Sequence, residues 1–172
     1  MRTRASSGAG SALRPTAFGV FATILVLLDL TLHAGLGLNA LAPDLIAVAV
    51  LLTARRSSAV AVAVLALVLG LIDDAMGVGN IGGRALGLGF AGLAGTWTRH
   101  LVEGEGPLFI VPYLFLGKWL VDAIVALLKP GAAAGDYVWI ELVTASPITA
   151  AWTAVAGTIV LGIFRIVAGR DA

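Results

Sequence analysis

The chain has 172 residues, of which 59% are hydrophobic and only 12% are charged, and its mean hydropathy is +1.01. This composition lies far outside the range of soluble domains and predicts a protein that crosses a membrane several times. The absence of cysteine excludes disulfides, thiolate chemistry and cysteine-ligated metals, and the net charge of +1 gives no support for nucleic-acid binding.

The apolar runs predict an all-α integral membrane protein with a bundle of six transmembrane helices. A helix that crosses the hydrocarbon core needs about 20 apolar residues, so six spans use most of the chain. We predict one transmembrane domain over residues 15–168, preceded by a flexible cytoplasmic tail over residues 1–14. In chain order the predicted helices are Thr16–Leu32, Leu45–Thr53, Ser58–Ile72, Ile81–Trp97, Pro107–Leu128 and Ile140–Val167.

The second predicted helix is too short to cross a bilayer alone. At about 1.5 Å per residue it covers about half of a hydrocarbon core that is roughly 30 Å thick. If the second and third helices were one continuous helix, Arg55 and Arg56 would lie near the middle of the membrane, at about 2.5 to 3.5 kcal/mol each. We therefore predict a short hairpin of the second and third helices inside the bundle, with both arginines at its turn.

The positions of lysine and arginine predict the orientation, because short cytoplasmic loops carry an excess of both. In a six-span arrangement Arg84 and Lys129 lie on one side, and the other eight arginines lie opposite. We predict a multi-pass protein of the cell membrane with both termini in the cytoplasm. The residues on the cytoplasmic side are Arg2, Arg4, Arg14, Arg55, Arg56, Arg99, Arg165 and Arg170.

Acidic residues gather at the opposite, outer side. This polar outer turn comprises Asp44, Asp73, Asp74, Gly82 and Arg84. In one interpretation it binds an ion, a ligand or a partner. In the other its members cap and pair locally, with Asp74 accepting hydrogen bonds from backbone N–H groups of the Gly-rich turn. We prefer the local interpretation, because no further acidic partner or histidine accompanies these residues.

Lys118 and Asp122 form a second polar feature, in the middle of the fifth predicted helix. Their i, i+4 spacing places both on one face, where they can form an ion pair or share a proton. The pair is either part of a proton pathway or an inward-facing structural pair. We prefer the structural pair, because a relay needs a chain of titratable groups, and His33 and His100 lie at loop ends.

Small residues recur every four positions along the fourth predicted helix. Such a stripe lets another helix backbone approach closely, which is how helices associate in lipid. The approaching helix belongs either to this chain or to a partner protein, and internal packing is the simpler expectation. The stripe consists of Gly83, Gly87, Ala91 and Gly95.

No pattern typical of an active site is present in the sequence. It has no Gly-rich phosphate loop, no Ser/His/Asp set and no zinc-protease motif. We predict a protein that is not an enzyme and that uses neither a cofactor nor a metal.

Four short motifs follow one another in a defined order: Pro43-Asp44-Leu45, Arg55-Arg56, Gly70-Leu71-Ile72-Asp73-Asp74 and Gly82-Gly83-Arg84-Ala85-Leu86. Together they resemble the rod shape-determining membrane protein MreD family. In that family Pro-Asp-Leu opens a short helix, and Gly-Leu-x-x-Asp precedes a helix-starting glycine by eight residues, the register of Asp74 and Gly82. The resemblance covers roughly residues 40–97. Asp73 is an additional acid, and Asn80 stands where the family often has proline.

The resemblance implies a non-enzymatic scaffold of the bacterial cell-elongation machinery. Its fold would be similar to the substrate-binding component of energy-coupling-factor transporters. The implied partners are MreC, RodA with its transpeptidase, and, indirectly, the MreB cytoskeleton. No small-molecule substrate is implied.

The similarity of fold leaves a second interpretation, a substrate-capture subunit of an energy-coupling-factor vitamin transporter. Its outer cavity would be lined by Asp29, Asp44, Asp74 and Arg84. Those subunits often carry Ala-x-x-x-Ala in the first helix, and Thr16–Leu32 has no such pair. We therefore prefer the scaffold.

Overall fold

The computed structural model describes residues 9–35, 42–76, 82–99, 107–129 and 136–168, and every regular element in these ranges is helical. The predicted all-α class is therefore confirmed. The elements are α1 (Ala9–Leu30), which continues into a π turn (Thr31–Gly35), α2 (Leu45–Ala54), α3 (Ala59–Met76), α4 (Gly83–Thr98), α5 (Pro107–Leu128), α6 (Asp136–Ile140), a π segment (Glu141–Ala145) and α7 (Ser146–Ala168). Because the last three run on without a break, the described chain forms six helical rods.

Two of the rods start earlier than the apolar runs predict. α1 begins at Ala9 instead of Thr16, and residues 1–8 of the predicted tail lie outside the described residues. The last rod begins at Asp136 instead of Ile140. Its π segment carries Glu141, whose carboxylate accepts hydrogen bonds from the ammonium of Lys129 at 2.8 Å, so this charge in the apolar run has a partner directly after α5.

Three stretches of helix are long and apolar enough to cross a membrane, which is consistent with a helical membrane protein. They are Ala59–Met76, Leu108–Leu128 and Val138–Val167. Their outward faces carry large apolar side chains such as Val60 and Leu108, exposed to 74% and 79%. A contiguous exposed apolar surface of this kind is typical of helices that contact lipid or another protein.

The short helix α2 lies at the centre of the bundle. Nine of its ten residues are buried, and it contacts α1, α3, α4, α5 and α7. A turn at Arg55 and Arg56 joins it to α3, and the backbone N–H of Arg56 donates to the carbonyl of Thr53 at 3.0 Å. A helix of ten residues is sufficient at this position because other helices of the protein enclose most of its surface.

Glycines of three neighbouring helices make room for α2. A Cβ atom at Gly117 of α5 would lie 2.5 Å from a methyl carbon of Leu51, and one at Gly157 of α7 would lie 2.8 Å from Val48. A Cβ at Gly92 of α4 would lie 3.1 Å from Val50. These glycines allow the large apolar side chains of α2 to reach the backbones around it.

The bundle has two chemically different ends. At the acidic end, α2 and α4 begin next to the last turns of α1 and α3, and this end carries Asp29, Asp44 and Asp74. At the arginine end, α2 passes into α3 and α7 approaches its last turn, and this end carries Arg55, Arg56 and Arg165. The candidate site lies at the acidic end.

Candidate functional site

Five helices bring charged side chains together at the acidic end. We name this set the polar cluster, and its members are Asp29, Asp44, Asp73, Arg84, Lys118 and Asp122. Asp29 lies near the end of α1, and Asp44 is the residue that precedes α2. The other four come from α3, α4 and α5. Residues as far apart in the sequence as Asp29 and Asp122 therefore meet in one place.

Two carboxylates accept hydrogen bonds from the backbone N–H groups at the start of α2. Asp29 Oδ1 accepts hydrogen bonds from the N–H groups of Leu45 at 2.6 Å and Ile46 at 3.3 Å, and Asp44 Oδ1 accepts one from Ala47 at 2.9 Å. The first N–H groups of a helix have no partner inside it, and they attract negative charge. Asp29 and Asp44 thus allow α2 to begin inside the protein, where both are buried.

Asp44 also forms ion pairs with two basic side chains. Its Oδ2 lies 2.6 Å from Nη2 of Arg84 and 2.9 Å from Nζ of Lys118. Arg84 reaches Asp73 through Nε, and Lys118 Nζ lies 2.5 Å from Oδ1 of Asp122. Positive and negative groups therefore alternate along one chain of five side chains. A buried charge without a partner is very costly in free energy, so buried charged side chains need neighbours of opposite sign. The alternation supplies such neighbours.

The chain of charges continues into α7 through hydroxyl groups. Asp122 Oδ2 accepts hydrogen bonds from Ser146 Oγ at 3.0 Å and, at 3.5 Å, from Thr149 Oγ1. Thr153 Oγ1 accepts a hydrogen bond from the backbone N–H of Asp44 at 3.2 Å. The predicted pair of Lys118 and Asp122 is thus one section of a network that connects α2, α5 and α7.

Asp74 performs a separate task from its neighbour Asp73. Its two carboxylate oxygens accept hydrogen bonds from the backbone N–H groups of Gly82, Arg84 and Ala85, at 2.9, 3.1 and 3.2 Å. Gly82 precedes α4 with φ of +97°, a conformation that favours glycine, and it has no side chain with which to cap the helix. Asp74 therefore supplies the cap of α4 from the end of α3.

Gly70 lies one helical turn before Asp74, on the side of α3 that faces α4. A Cβ atom at this position would overlap the backbone of Ala85. The absent side chain allows α3 and α4 to touch, and this contact brings Asp74 within reach of the N–H groups that it caps. The Gly-x-x-x-Asp spacing thus has one physical function, the joining of α3 to the start of α4.

The small-residue stripe of α4 is used mostly inside the bundle. A Cβ at Gly87 would lie 3.1 Å from the carbonyl oxygen of Val121 in α5, and Ala91 is buried. At Gly95 it would lie 2.5 Å from the hydroxyl of Tyr113, which donates to the carbonyl of Leu51. Gly83 has no atom within 4 Å of the corresponding position. The described contacts of the stripe are those of internal packing.

A polar cavity of about 360 Å³ adjoins the polar cluster. Charged groups of both signs and hydroxyl groups line it, so it suits a small polar molecule or water. Among the described residues no group of three or more His, Cys, Asp or Glu side chains is arranged to hold a metal ion. The polar lining residues are His33, Asp44, Arg84, Lys118, Asp122, Lys129, Glu141, Ser146, Thr149 and Thr153.

Sequence reasoning did not select several of these residues. Ser146, Thr149 and Thr153 follow one another at intervals of three and four, so they share a helix face, and this polar stripe in an apolar helix was a usable signal. His33 lies four residues after Asp29, and its Nδ1 is 3.2 Å from the Asp29 carboxylate. His100 and Asn80, which entered the sequence analysis, lie outside the described residues.

Comparison with known proteins gives this chain no relative. No family model, no curated protein and no solved structure matches it. The polar cluster, the cavity and the order of the sequence motifs therefore carry the functional inference.

Proposed function

We propose that this chain is a scaffold of the MreD type, a non-enzymatic membrane component of the bacterial cell-elongation complex. In this role it binds MreC and contacts RodA with its transpeptidase. Through these proteins it connects peptidoglycan synthesis indirectly to the MreB cytoskeleton. It lies in the cell membrane as a multi-pass protein with both termini in the cytoplasm.

One observation carries the proposal. Three of the four motifs that resemble the family form a single connected unit at the acidic end, where Asp44 pairs with Arg84 and Asp74 caps α4 next to Gly82. Each of these polar groups has a partner inside the unit, so the motifs build a defined shape. A scaffold that holds other proteins depends on such a fixed shape.

The distribution of charge supports the proposed orientation. Arg55, Arg56 and Arg165 line one pocket at the arginine end, where positive-inside orientation would put the cytoplasm. The first described helix starts at this end and α7 finishes there, which supports the proposal of both termini on one side. The acidic end with its cavity faces outward in this arrangement.

Partner proteins should copurify with the intact chain. We expect a tagged chain, extracted from its host in mild detergent, to enrich MreC at least about tenfold over an unrelated multi-pass protein carrying the same tag. Depletion of the chain should convert rods into spheres, and the wild-type gene should restore them. Absence of MreC from the purified material, together with normal cell shape after depletion, would contradict the proposal.

Substitutions in the small-residue stripe are unsuited to this test. Gly87 faces the α5 backbone at Val121, so Gly87→Leu would force α4 and α5 apart. Loss of a partner from such a variant would report a damaged bundle. Phe90 lies on the same helix and is 60% exposed, so Phe90→Leu is a more suitable substitution at the outer surface.

The polar cavity favours a second candidate function, the capture of a small molecule for an energy-coupling-factor transporter. Its volume of about 360 Å³ and its mixed lining suit a polar vitamin. A thermal-shift screen of vitamins with the purified chain separates the two candidates. Saturable stabilisation by one vitamin, weakened by Thr149→Val in the cavity wall, would favour transport. If no vitamin changes the melting temperature, the scaffold remains the favoured function.

A further inference from the structure

A small basic pocket occupies the arginine end. Its volume is about 90 Å³, and in the described structure its lining contains three arginines and no acidic residue. We name it the arginine pocket, and its lining residues are Phe18, Leu52, Arg55, Arg56, Leu161 and Arg165. The guanidinium of Arg56 lies over the ring of Phe18, 4.6 Å from its centroid, so an aromatic side chain holds this cation at the rim of the pocket.

An apolar groove adjoins the arginine pocket. It has a volume of about 390 Å³, and α1, α2 and α3 form its walls. Phe18 lines both spaces, and Ser57 marks the end of the groove nearest to the arginines. The groove continues from there towards Val26 and Leu69.

The two threonine hydroxyl groups in the groove already have hydrogen-bond acceptors. Thr23 Oγ1 donates to the carbonyl of Gly19 at 3.0 Å, and Thr53 Oγ1 donates to the carbonyl of Ala49 at 2.7 Å. The walls therefore present mostly hydrocarbon, and Gly19 adds no side chain to fill the space. A flexible apolar chain fits such a groove better than a polar molecule does.

We propose that the arginine pocket and the groove together bind one anionic phospholipid. The phosphate lies among Arg55, Arg56 and Arg165, and an acyl chain lies in the groove. Guanidinium groups bind phosphate oxygens through paired hydrogen bonds, and basic pockets between membrane helices are suited to anionic headgroups. The inference rests on the membrane placement in the proposed function, but it is independent of the partner proteins.

The headgroup can be tested with the full-length chain in detergent, by titrating phosphatidylglycerol and following the melting temperature. We expect a saturable rise with phosphatidylglycerol and none with phosphatidylcholine. The double variant Arg56→Gln, Arg165→Gln should weaken the apparent affinity about thirtyfold, the effect of two arginines near an anionic headgroup. Arg99→Gln is the matched control, because Arg99 lines a different pocket with Trp97.

The acyl chain can be tested with a matched pair of glycine substitutions. A Cβ at Gly19 or at Gly89 would meet no atom within 4 Å, so a side chain can start at both positions without a clash at its Cβ. Only Gly19 lines the groove. We therefore expect Gly19→Leu to weaken the response to phosphatidylglycerol several-fold, and Gly89→Leu to leave it unchanged.

Four outcomes would overturn the proposed lipid site. They are an equal response to phosphatidylcholine, an equal response to inorganic phosphate, equal affinities of the double arginine variant and Arg99→Gln, and equal affinities of the two leucine variants. If the arginine variant does not fold, native mass spectrometry of the wild-type chain decides, since preferential retention of phosphatidylglycerol is expected. Failure of lipid binding would leave copurification of MreC unaffected, so the two proposals fail separately.

Discussion

Asp44 is the residue on which the acidic end depends most. One of its oxygens caps α2 through the N–H of Ala47, and the other binds Arg84 and Lys118. Asp73 contributes less, because its described ion pair is with Arg84 alone and its side chain is 20% exposed. Asp44 and Asp73 carry the same formal charge but contribute differently to stability, because they differ in burial and in number of partners.

Replacement of Asp44 should destabilise the protein strongly. Asp44→Ala leaves two cations without their shared carboxylate, and breaking a buried ion pair from one side costs about 3 to 5 kcal/mol. We expect the free energy of unfolding in detergent to fall by this amount, as measured by denaturant titration. Asp73→Ala is the control and should cost clearly less. Equal losses in the two variants would contradict the ranking.

At the scale of elements, the contact between α3 and α4 shows how a short motif acts. Gly70 lets the two helices touch at Ala85, and Asp74 then caps α4 one turn further along. α3 therefore continues to Met76, past the predicted end at Ile72, because its aspartates have partners across the turn. A pair of charges that would end an isolated apolar helix instead joins two helices.

A methyl group at Gly70 should separate these helices. Gly70→Ala would place a Cβ into the backbone of Ala85, and overpacking of this kind typically costs about 1 to 3 kcal/mol. Gly89→Ala is a matched control in α4, where the added Cβ would meet nothing within 4 Å. Since alanine has the higher helix propensity, the control should be neutral or stabilising by up to about 1 kcal/mol. Denaturant titration of both variants measures the change in the free energy of unfolding. A Gly70→Ala protein more stable than the wild type would contradict the close approach of α3 and α4 at this position.

At the scale of the whole molecule, charge separates the two ends and apolar surface covers the sides. The arginine end carries Arg55, Arg56 and Arg165, whereas the acidic end holds its charges in an internal network. The central α2 links the ends, with carboxylates at its start and arginines at its finish, the arrangement that its dipole favours. In the proposed membrane arrangement this asymmetry of charge favours one direction of the bundle across the membrane.

Cysteine labelling can determine that direction. Because the chain contains no cysteine, only the introduced cysteine of each variant can react. Ser58 and Met76 are exposed near opposite ends of α3, about 27 Å apart along the helix at 1.5 Å per residue. In intact cells we expect a membrane-impermeant maleimide to label Met76→Cys, and to label Ser58→Cys only after permeabilisation. The reverse pattern would place the arginine end outside.

The sequence by itself determined the helical class, the short α2 and the spacing of Lys118 and Asp122. These features follow from composition and from periods of three or four residues, which act locally along the chain. Only the tertiary structure decided that Asp44 joins Arg84, 40 residues away, and meets Thr153, 109 residues away. It also decided that Gly92, Gly117 and Gly157 make room for α2. Such contacts depend on which helices pack together, and many sequences with the same local periods could pack differently.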